Sequence, residues 1–231
     1  MNMNYIRPAE GTPGRLLTEI ESKALLKEIG IPVVETLLAK SKAEAVDLSR
    51  KLLFPVALKV VSPDIIHKSD IGGVKLGLRT SKQVESAYDE ILSVVRLKCP
   101  EANVEGVSVQ KMARRGTEVI IGMTRDEQFG HVLMFGLGGV LVELLKDVTF
   151  GIVPLERKDA QRMIREIKGY PLLNGFRGSE TVDQPALEEM LLKVSRFVDQ
   201  RPEISEIDIN PVFAYGDGAI AVDARVILSD S

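Results

Sequence analysis

The sequence predicts an α+β protein that folds as two lobes. Apolar patterns indicate strand, helix, strand, strand and helix within about eighty residues, which is enough chain for one compact lobe. Three more strand patterns follow with short links between them, and short links favour antiparallel pairing. Two helices and two final strands complete a second, larger lobe.

Two helices in the first part of the chain begin with capping-box spacing. Ser41 is followed by Glu44, and Thr80 is followed by Gln83, so each pair can bind the backbone N–H groups of a helix start. Gly30 caps the C-terminus of the helix before them. The elements predicted in this part are helices at 16–30, 41–53 and 81–97 and strands at 31–39, 55–61 and 72–79.

The second part of the chain contains most of the predicted strands. Its last two strands are joined by the turn Gly216-Asp217-Gly218. The elements predicted here are strands at 104–112, 116–126, 131–136, 204–214 and 218–228 and helices at 157–169 and 184–200. Residues 1–14 contain Pro, Gly and Asn with little periodicity, which predicts an extended or mobile arm.

The composition is that of a globular protein. Of 231 residues 45% are hydrophobic, which supports a sizeable core. The 30 basic and 33 acidic residues are mixed along the chain and give a net charge of −3, so no nucleic-acid partner is indicated. Because no signal-peptide pattern and no apolar run of membrane-spanning length is found, we expect a cytoplasmic protein without a membrane partner.

The cysteine and histidine content limits the metal chemistry. Cys99 is the only cysteine, which excludes an internal disulfide, and two histidines are too few for the zinc-ligand spacings. Any bound metal must therefore be held by oxygen ligands. The two commonest phosphate-binding loops are also missing, because GLGGV at 136–140 is an incomplete G-x-G-x-x-G and no G-x-x-x-x-G-K-[ST] motif is present.

A lysine and a glycine pair form the first candidate site. Lys59 lies near the end of an apolar strand, where its ammonium can reach phosphate oxygens as a point charge. Gly72 and Gly73 follow closely and can expose backbone N–H groups to the same phosphates. The alternative is a solvated lysine and an ordinary glycine turn.

Oxygen donors on the last two strands form the second candidate site. Strand alternation gives Asp208 and Asn210 the same face, and the returning strand can bring Asp223 beside them. Two carboxylates and an amide oxygen suit Mg²⁺. Polarity at a strand end is the alternative, although Asp208 stands in an apolar run, where a carboxylate is costly without a cation or donor.

Three long segments together resemble one known family. They are PVALKVVSPDIIHKSDIGGVKLGL, TEVIIGMTRDEQFGHVLMFGLGGVLVELLKDVTFGIVPL and EIDINPV with AVDARV. The chain resembles, over about 17–228, the ATP-grasp β subunit of ADP-forming acetyl-CoA (acyl-CoA) synthetases, which are related to succinyl-CoA synthetase. The resemblance implies an ATP-grasp fold with the nucleotide site between two lobes, a larger one at 1–27 plus 107–231 and a smaller, inserted one at 28–106.

The resemblance also implies roles for individual residues. Lys59 matches the lysine that binds ATP phosphates, and Glu118 matches an acidic residue at the nucleotide ribose. Asn210 and Asp223 correspond to Mg²⁺ ligands, with Asp208 in an acidic position next to them. In the family, the backbone of the linker segment after the smaller lobe faces the adenine. The matching residues here include Val109, Gln110 and Met112.

The family's reaction interconverts acyl-CoA, ADP and phosphate with the free acid, ATP and CoA. By resemblance, His67 relays a phosphoryl group from a phosphohistidine of the α subunit to ADP; a neutral imidazole is nucleophilic, so this is chemically reasonable. Asp70 is a candidate to orient the His67 ring. The implied partner is an α subunit that carries the CoA-binding and phosphohistidine domains, in an α2β2 heterotetramer.

Two other functions fit parts of the same pattern. An ATP-grasp carboxylate-amine ligase would share the lobes, Lys59 and the magnesium site, but would need its own acceptor site. A noncatalytic nucleotide-binding assembly subunit would tolerate the loss of His67. In that case His67 would only form a hydrogen bond or cap a loop.

Overall fold

The computed structural model describes residues 14–65, 68–139, 146–178 and 180–229. The chain divides into two compact units. The larger unit contains Met1–Leu17, Ser22–Val33 and Arg115–Ser231, and the smaller unit contains Thr18–Glu21 and Val34–Arg114. The predicted smaller lobe, 28–106, overlaps the smaller unit over 34–106.

Helices and strands are both abundant in the described residues, as the predicted α+β class requires. In chain order the elements are β1 (Gly14–Leu16), α1 (Glu19–Glu28), β2 (Thr36–Ala39), α2 (Lys42–Leu52), β3 (Val56–Val61), β4 (Val74–Leu78), α3 (Ser81–Lys98), β5 (Gly106–Lys111), β6 (Thr117–Asp126), β7 (Gly130–Leu137), β8 (Val148–Ile152), α4 (Arg157–Glu166), α5 (Tyr170–Leu173), α6 (Gln184–Asp199), β9 (Ile204–Tyr215), β10 (Gly218–Ala221) and β11 (Arg225–Ser229).

The smaller unit is built on a four-stranded antiparallel sheet in the order β2-β5-β3-β4. Helices α2 and α3 pack on this sheet and on each other. Both predicted caps are confirmed, because the side chain of Ser41 accepts from the Glu44 N–H and that of Thr80 accepts from the Gln83 N–H. These caps set where α2 and α3 begin.

Alternation along β3 separates a core face from a second face. Val56, Leu58 and Val60 belong to the apolar core of the smaller unit. Full burial of an aliphatic side chain of this size contributes roughly 1.5–3 kcal/mol. Because neighbouring side chains on a strand point to opposite faces, Lys59 lies on the face away from this core.

The larger unit is built on a seven-stranded antiparallel sheet. Six strands follow the order β1-β11-β9-β6-β7-β8, and β10 pairs with β9. Side chains of β6, β7 and β9, such as Ile121, Phe135 and Ile209, share one apolar core with α4 and α6. The polar residues of β9 alternate with these core residues and lie on the other face of the sheet.

The predicted helix at 157–169 ends earlier than expected. α4 stops at Glu166, Ile167 has an extended backbone, and the short helix α5 begins at Tyr170. The cause lies far away in the sequence. The buried Asp147 carboxylate accepts the backbone N–H groups of Lys168 and Gly169, both at 2.6 Å, and these groups turn away from a continued helix.

The predicted strand at 218–228 is divided in two. β10 ends at Ala221 and β11 begins at Arg225. Opposite this gap stands Pro211 of β9, which has no N–H to donate to a neighbouring strand. The Ala224 N–H is instead bound by the Asp223 side chain at 2.8 Å. Asp223 therefore lies between two strands. The sequence had predicted a single strand that includes it.

The sequence did not predict β8 (Val148–Ile152). Gly151 in its centre weakens the strand pattern. The glycine is required by packing, since a Cβ at this position would stand 2.7 Å from both Leu155 Cδ2 and Met163 Sδ. In the part of the chain that the structure describes, no helix has both the length and the apolar character needed to cross a membrane.

Candidate functional site

Lys59 is buried on the second face of the smaller unit's sheet. Only 6% of its surface is exposed. Its ammonium donates to Glu19 Oε1 at 2.8 Å, and the ammonium of Lys68 donates to Glu19 Oε2 at 3.4 Å. One carboxylate therefore binds two lysines, one on the sheet and one in the loop between β3 and β4.

Glu19 is a site residue that the sequence patterns did not identify. It is the first residue of α1, and its position is fixed by a capping box. The Thr18 N–H donates to Glu21 Oε2 at 2.8 Å, and the Glu21 N–H donates to Thr18 Oγ1 at 3.3 Å. The Thr-x-x-Glu spacing at 18–21 is the one sequence signal that places Glu19 in a first helical turn.

The two predicted loop glycines use their N–H groups inside the loop. The Gly72 N–H donates to the Ser69 carbonyl at 3.0 Å and the Gly73 N–H to the Lys68 carbonyl at 2.7 Å. Both N–H groups are thus used within the loop, whereas the sequence led us to expect them to be exposed for phosphate. Gly72 has a φ of +82°, and a Cβ on Gly73 would stand 2.8 Å from Val60 Cγ1. The local backbone and packing thus explain why glycine occupies both positions.

His67, the predicted phosphoryl carrier, lies outside the described residues. Asp70 is in the turn that follows and is exposed to solvent. The structure therefore gives the surroundings of the loop's second half, and the pairing of His67 with Asp70 stays a prediction.

The predicted adenine-facing segment begins inside the sheet. Val109 is fully buried in the apolar core, on the face opposite to Lys59. Gln110 is on the same face as Lys59 and is also buried. Its backbone is paired with Thr36 on one side and Ala57 on the other. Met112 follows the strand, and its N–H donates to the Pro55 carbonyl at 3.1 Å.

Glu118 lies near the start of β6, where its side chain is exposed. The Gly138 N–H donates to the Glu118 carbonyl at 2.7 Å, and a Cβ on Gly139 would stand 2.8 Å from Glu118 Oε2. The glycines at 138 and 139 thus allow a loop to pass close to this carboxylate. This contact gives the GLGG sequence a function other than the dinucleotide-binding loop that its pattern suggested.

The pairing register places the backbone positions of the three predicted metal ligands near one another. Asp208 is opposite Arg225, and Val212 is opposite Ala221, so the same register runs along both sides of the gap. This register puts Asp223 across from Asn210. Asp208 and Asn210 are two residues apart on β9 and share a face. That these three residues bind a metal stays a prediction.

Asp208 carries a perturbed carboxyl group. Burial raises its pKa to about 6, and the Arg225 guanidinium opposes this rise while Glu206 and Asp223 add to it. Arg225 also pairs with Glu206. The arginine is therefore shared between two carboxylates, and Asp208 is not fully compensated.

The donor set around Asp208 fits a hard cation. Carboxylate and amide oxygens are the ligands that Mg²⁺ takes in proteins. Gly122, opposite Asp208 on β6, has no side chain, and a small cavity beside it is lined also by Met134, Phe150 and Glu206. Within 14–65, 68–139, 146–178 and 180–229, no three His, Cys, Asp or Glu side chains converge as a metal site. Any site here therefore depends on the amide of Asn210 as well.

The chain matches the ATP-grasp domain model over residues 9–228. Acetate–CoA ligase (ADP-forming) I subunit beta of Pyrococcus furiosus is 50% identical over 214 residues, which cover 93% of this chain and 92% of that protein. The dinucleotide forming acetyl-coenzyme A synthetase 1 of Ca. Korarchaeum cryptofilum, in complex with coenzyme A, Ca-AMPCP and HgCl+, superposes with a TM-score of 0.90 at 50% identity, covering 93% of each chain.

A second structure of the Korarchaeum enzyme contains coenzyme A and Mg-AMPPCP, with its phosphohistidine segment pointing towards the nucleotide binding site. It matches with a TM-score of 0.81 at 47% identity and covers 93% of both chains. The resemblance and the ATP-grasp fold predicted from the sequence are both confirmed by these matches. Because the family model and the relatives cover more than nine-tenths of the chain, it belongs to the ATP-grasp family and, within it, to the β subunits of ADP-forming acetate–CoA ligases.

Proposed function

We propose that this chain is the nucleotide-binding β subunit of an ADP-forming acyl-CoA synthetase. The enzyme would interconvert acyl-CoA, ADP and phosphate with the free acid, ATP and CoA. The observation that carries this proposal is the 50% identity with an acetate–CoA ligase β subunit over 93% of the chain. The predicted division into lobes at 1–27 plus 107–231 and 28–106 remains part of the proposal.

Two groups of residues would bind the nucleotide and its metal. Lys59 would contact the phosphates, and Glu118 the ribose. Asp208, Asn210 and Asp223 would hold Mg²⁺, which supplies positive charge to the polyphosphate when it is bound. The support for the second group is the strand register, which aligns the three backbone positions, and the raised pKa of Asp208.

The role of Gly72 and Gly73 is narrower than the sequence suggested. Their N–H groups would reach phosphate only if their bonds to Ser69 and Lys68 broke. We therefore assign them to the shape of the loop. For the segment from Val109 to Met112, contact with adenine would begin at Met112, because Val109 and Gln110 are paired on both sides.

His67 would relay the phosphoryl group between the α subunit and ADP. In the first step the phosphorus–nitrogen bond of the α-subunit phosphohistidine breaks as one to His67 forms. In the second step the terminal phosphate oxygen of ADP attacks phosphorus, the bond to His67 breaks, and neutral His67 is regenerated. In the Korarchaeum relative a phosphohistidine segment points towards the nucleotide binding site, which supports delivery of a phosphoryl group to that site. The partner would be an α subunit in an α2β2 assembly in the cytoplasm.

The relay can be tested with labelled ATP and the complete α–β complex. We expect acid-labile label on this chain in the wild type and none in His67→Ala. His131→Ala is the matched control, because His131 is the only other histidine and contacts the Ile204 carbonyl at 3.0 Å, on β9. This control should keep its label.

Other outcomes would identify the competing functions. Label on the α subunit alone, together with nucleotide binding by this chain, would remove the relay through His67. ADP release that depends on an added carboxylate and amine, without CoA, would indicate a carboxylate-amine ligase.

A further inference from the structure

A buried carboxylate holds the lysine that the proposed function assigns to phosphate. The Glu19 side chain is 1% exposed and the Lys59 side chain 8% exposed, and their charged atoms are 2.8 Å apart. Buried charges are costly unless they are paired and hydrogen-bonded, so each of these groups depends on the other. The pair is therefore a fixed part of the smaller unit and not a surface ion pair.

We propose that Glu19 is a positioning residue that fixes the Lys59 ammonium for contact with nucleotide phosphates. This inference rests on the proposed function of Lys59. A lysine side chain has about 2 kcal/mol of rotamer entropy. When Glu19 holds the ammonium before the ligand arrives, less of this entropy is lost on binding, and the affinity for phosphate increases accordingly.

The position of Glu19 is itself well determined. It belongs to the first turn of α1, which the capping box of Thr18 and Glu21 fixes. A carboxylate in this turn is also favoured by the positive end of the helix dipole. The anchor for Lys59 is thus a helix start and not a flexible loop.

The same carboxylate also binds Lys68, in the part of the loop after β3 that begins at residue 68. Lys68 reaches Glu19 Oε2 at 3.4 Å, while its carbonyl accepts from the Gly73 N–H at 2.7 Å. The Gly73 carbonyl in turn accepts from the Val60 N–H at 2.8 Å, next to Lys59. Lys59 is thus connected to Glu19 directly by its ion pair, and also indirectly through Val60, Gly73 and Lys68. Removal of Glu19 would therefore loosen the loop and the lysine together.

Charge alone predicts the opposite effect from positioning. A carboxylate near the phosphate site repels phosphate, so its neutralisation would tighten nucleotide binding if Glu19 acted only through its field. If Glu19 positions Lys59, its neutralisation weakens binding of the phosphates that Lys59 contacts. The direction of the change in affinity therefore separates the two.

The test measures binding of AMP, ADP and a nonhydrolysable ATP analogue to the full chain by calorimetry, with Mg²⁺ at constant concentration. In the wild type, affinity should rise from AMP to ADP. In Glu19→Gln this rise should shrink by roughly tenfold, with AMP affinity unchanged within about twofold. Glu19→Asp keeps the charge but is one methylene shorter, so its rise in affinity from AMP to ADP should lie between those of the wild type and Glu19→Gln.

Glu90→Gln is the matched control, because it breaks an exposed pair with Lys75 at 2.6 Å in the same unit. It should leave all three affinities unchanged. Thermal unfolding of each variant is followed in parallel. If Glu19→Gln does not fold, Glu19→Asp carries the test, because an effect of charge alone predicts an unchanged rise from AMP to ADP and positioning predicts a smaller one.

Three results would overturn the proposal. They are tighter ADP binding in Glu19→Gln, an equal loss for AMP, ADP and the analogue, and an unchanged rise from AMP to ADP. Lys59→Met distinguishes a failure of the Glu19 positioning role from a failure of the proposed phosphate contact of Lys59. If Lys59→Met loses the rise and Glu19→Gln keeps it, only the role of Glu19 fails. If Lys59→Met keeps the rise, or the wild type has none, the phosphate role of Lys59 fails and the inference fails with it.

Discussion

Asp208 and Arg225 are directly opposite each other in the antiparallel ladder of β9 and β11. Burial nevertheless raises the pKa of Asp208 to about 6, because Arg225 opposes the effect only in part and Glu206 and Asp223 add to it. Arg225 is at the same time the partner of Glu206. The ligand-free chain therefore keeps an incompletely compensated carboxylate at the position where a cation is proposed.

We predict that Asp208→Asn stabilises the ligand-free chain at pH 7. The folded pKa is about 6 and the ordinary value 3.8, so the folded state binds more protons between these values and its stability falls as pH rises from about 4 to 6. Above pH 6 the full cost is present. Asn removes it, and the free energy of unfolding should increase by roughly 1–3 kcal/mol.

Urea denaturation at pH 4, 5, 6 and 7 measures this effect. The wild type should lose stability over this range relative to Asp208→Asn. Glu127→Gln, in the exposed turn between β6 and β7, is the control and should follow the wild type. Parallel curves for wild type and Asp208→Asn would show that the Asp208 carboxyl group is not perturbed.

Asp223→Asn should weaken the magnesium dependence of nucleotide binding. The change replaces one of the two proposed carboxylate ligands with a neutral amide. The Mg²⁺ concentration that gives half-maximal ADP binding should rise at least roughly tenfold, which corresponds to about 1.4 kcal/mol. Asp217→Asn, in the exposed turn between β9 and β10, should leave this concentration unchanged. Equal values for the two variants would remove Asp223 from the proposed metal site.

Asp147→Ala should destabilise the larger unit. Its buried carboxylate accepts two backbone N–H groups, from Lys168 and Gly169, each at 2.6 Å. Loss of both charge-assisted hydrogen bonds removes the acceptor of two partly buried donors, and we expect a cost of about 2–4 kcal/mol. Asp147→Asn keeps only one acceptor oxygen and should cost less. Calorimetric unfolding tests the order wild type, Asn, Ala, and an Ala variant as stable as the wild type would contradict it.

Gly73→Ala should destabilise the smaller unit through steric contact. The added Cβ would stand 2.8 Å from Val60 Cγ1 and 2.9 Å from the Lys68 carbonyl oxygen, so the loop must shift. Overpacking of this kind costs about 1–3 kcal/mol. Gly77→Ala is the comparison, since it meets no atom within 4 Å and adds only the strain of its φ of +70°. Unfolding midpoints should place Gly73→Ala below Gly77→Ala, and the reverse order would show that the loop adapts.

Local patterns predicted the elements whose signals lie within a few residues. The sequence predicted the caps at Ser41 and Thr80 and the common face of Asp208 and Asn210. These features were predictable because capping and strand periodicity are short-range properties. The ATP-grasp family was also recognisable from the sequence, since its motifs are contiguous. Predictions of this kind need no knowledge of which strands are neighbours.

The sequence by itself determined the α+β class, the family and most of the elements. Only the tertiary structure decided that Glu19 binds Lys59 and Lys68, that Asp147 ends α4, that Asp223 falls in a gap opposite Pro211, and that the Gly72 and Gly73 N–H groups are used within their loop. The physical reason is that burial and ion pairing depend on groups far apart in the chain. Glu19 and Lys59 are separated by 40 residues and meet only in the folded smaller unit.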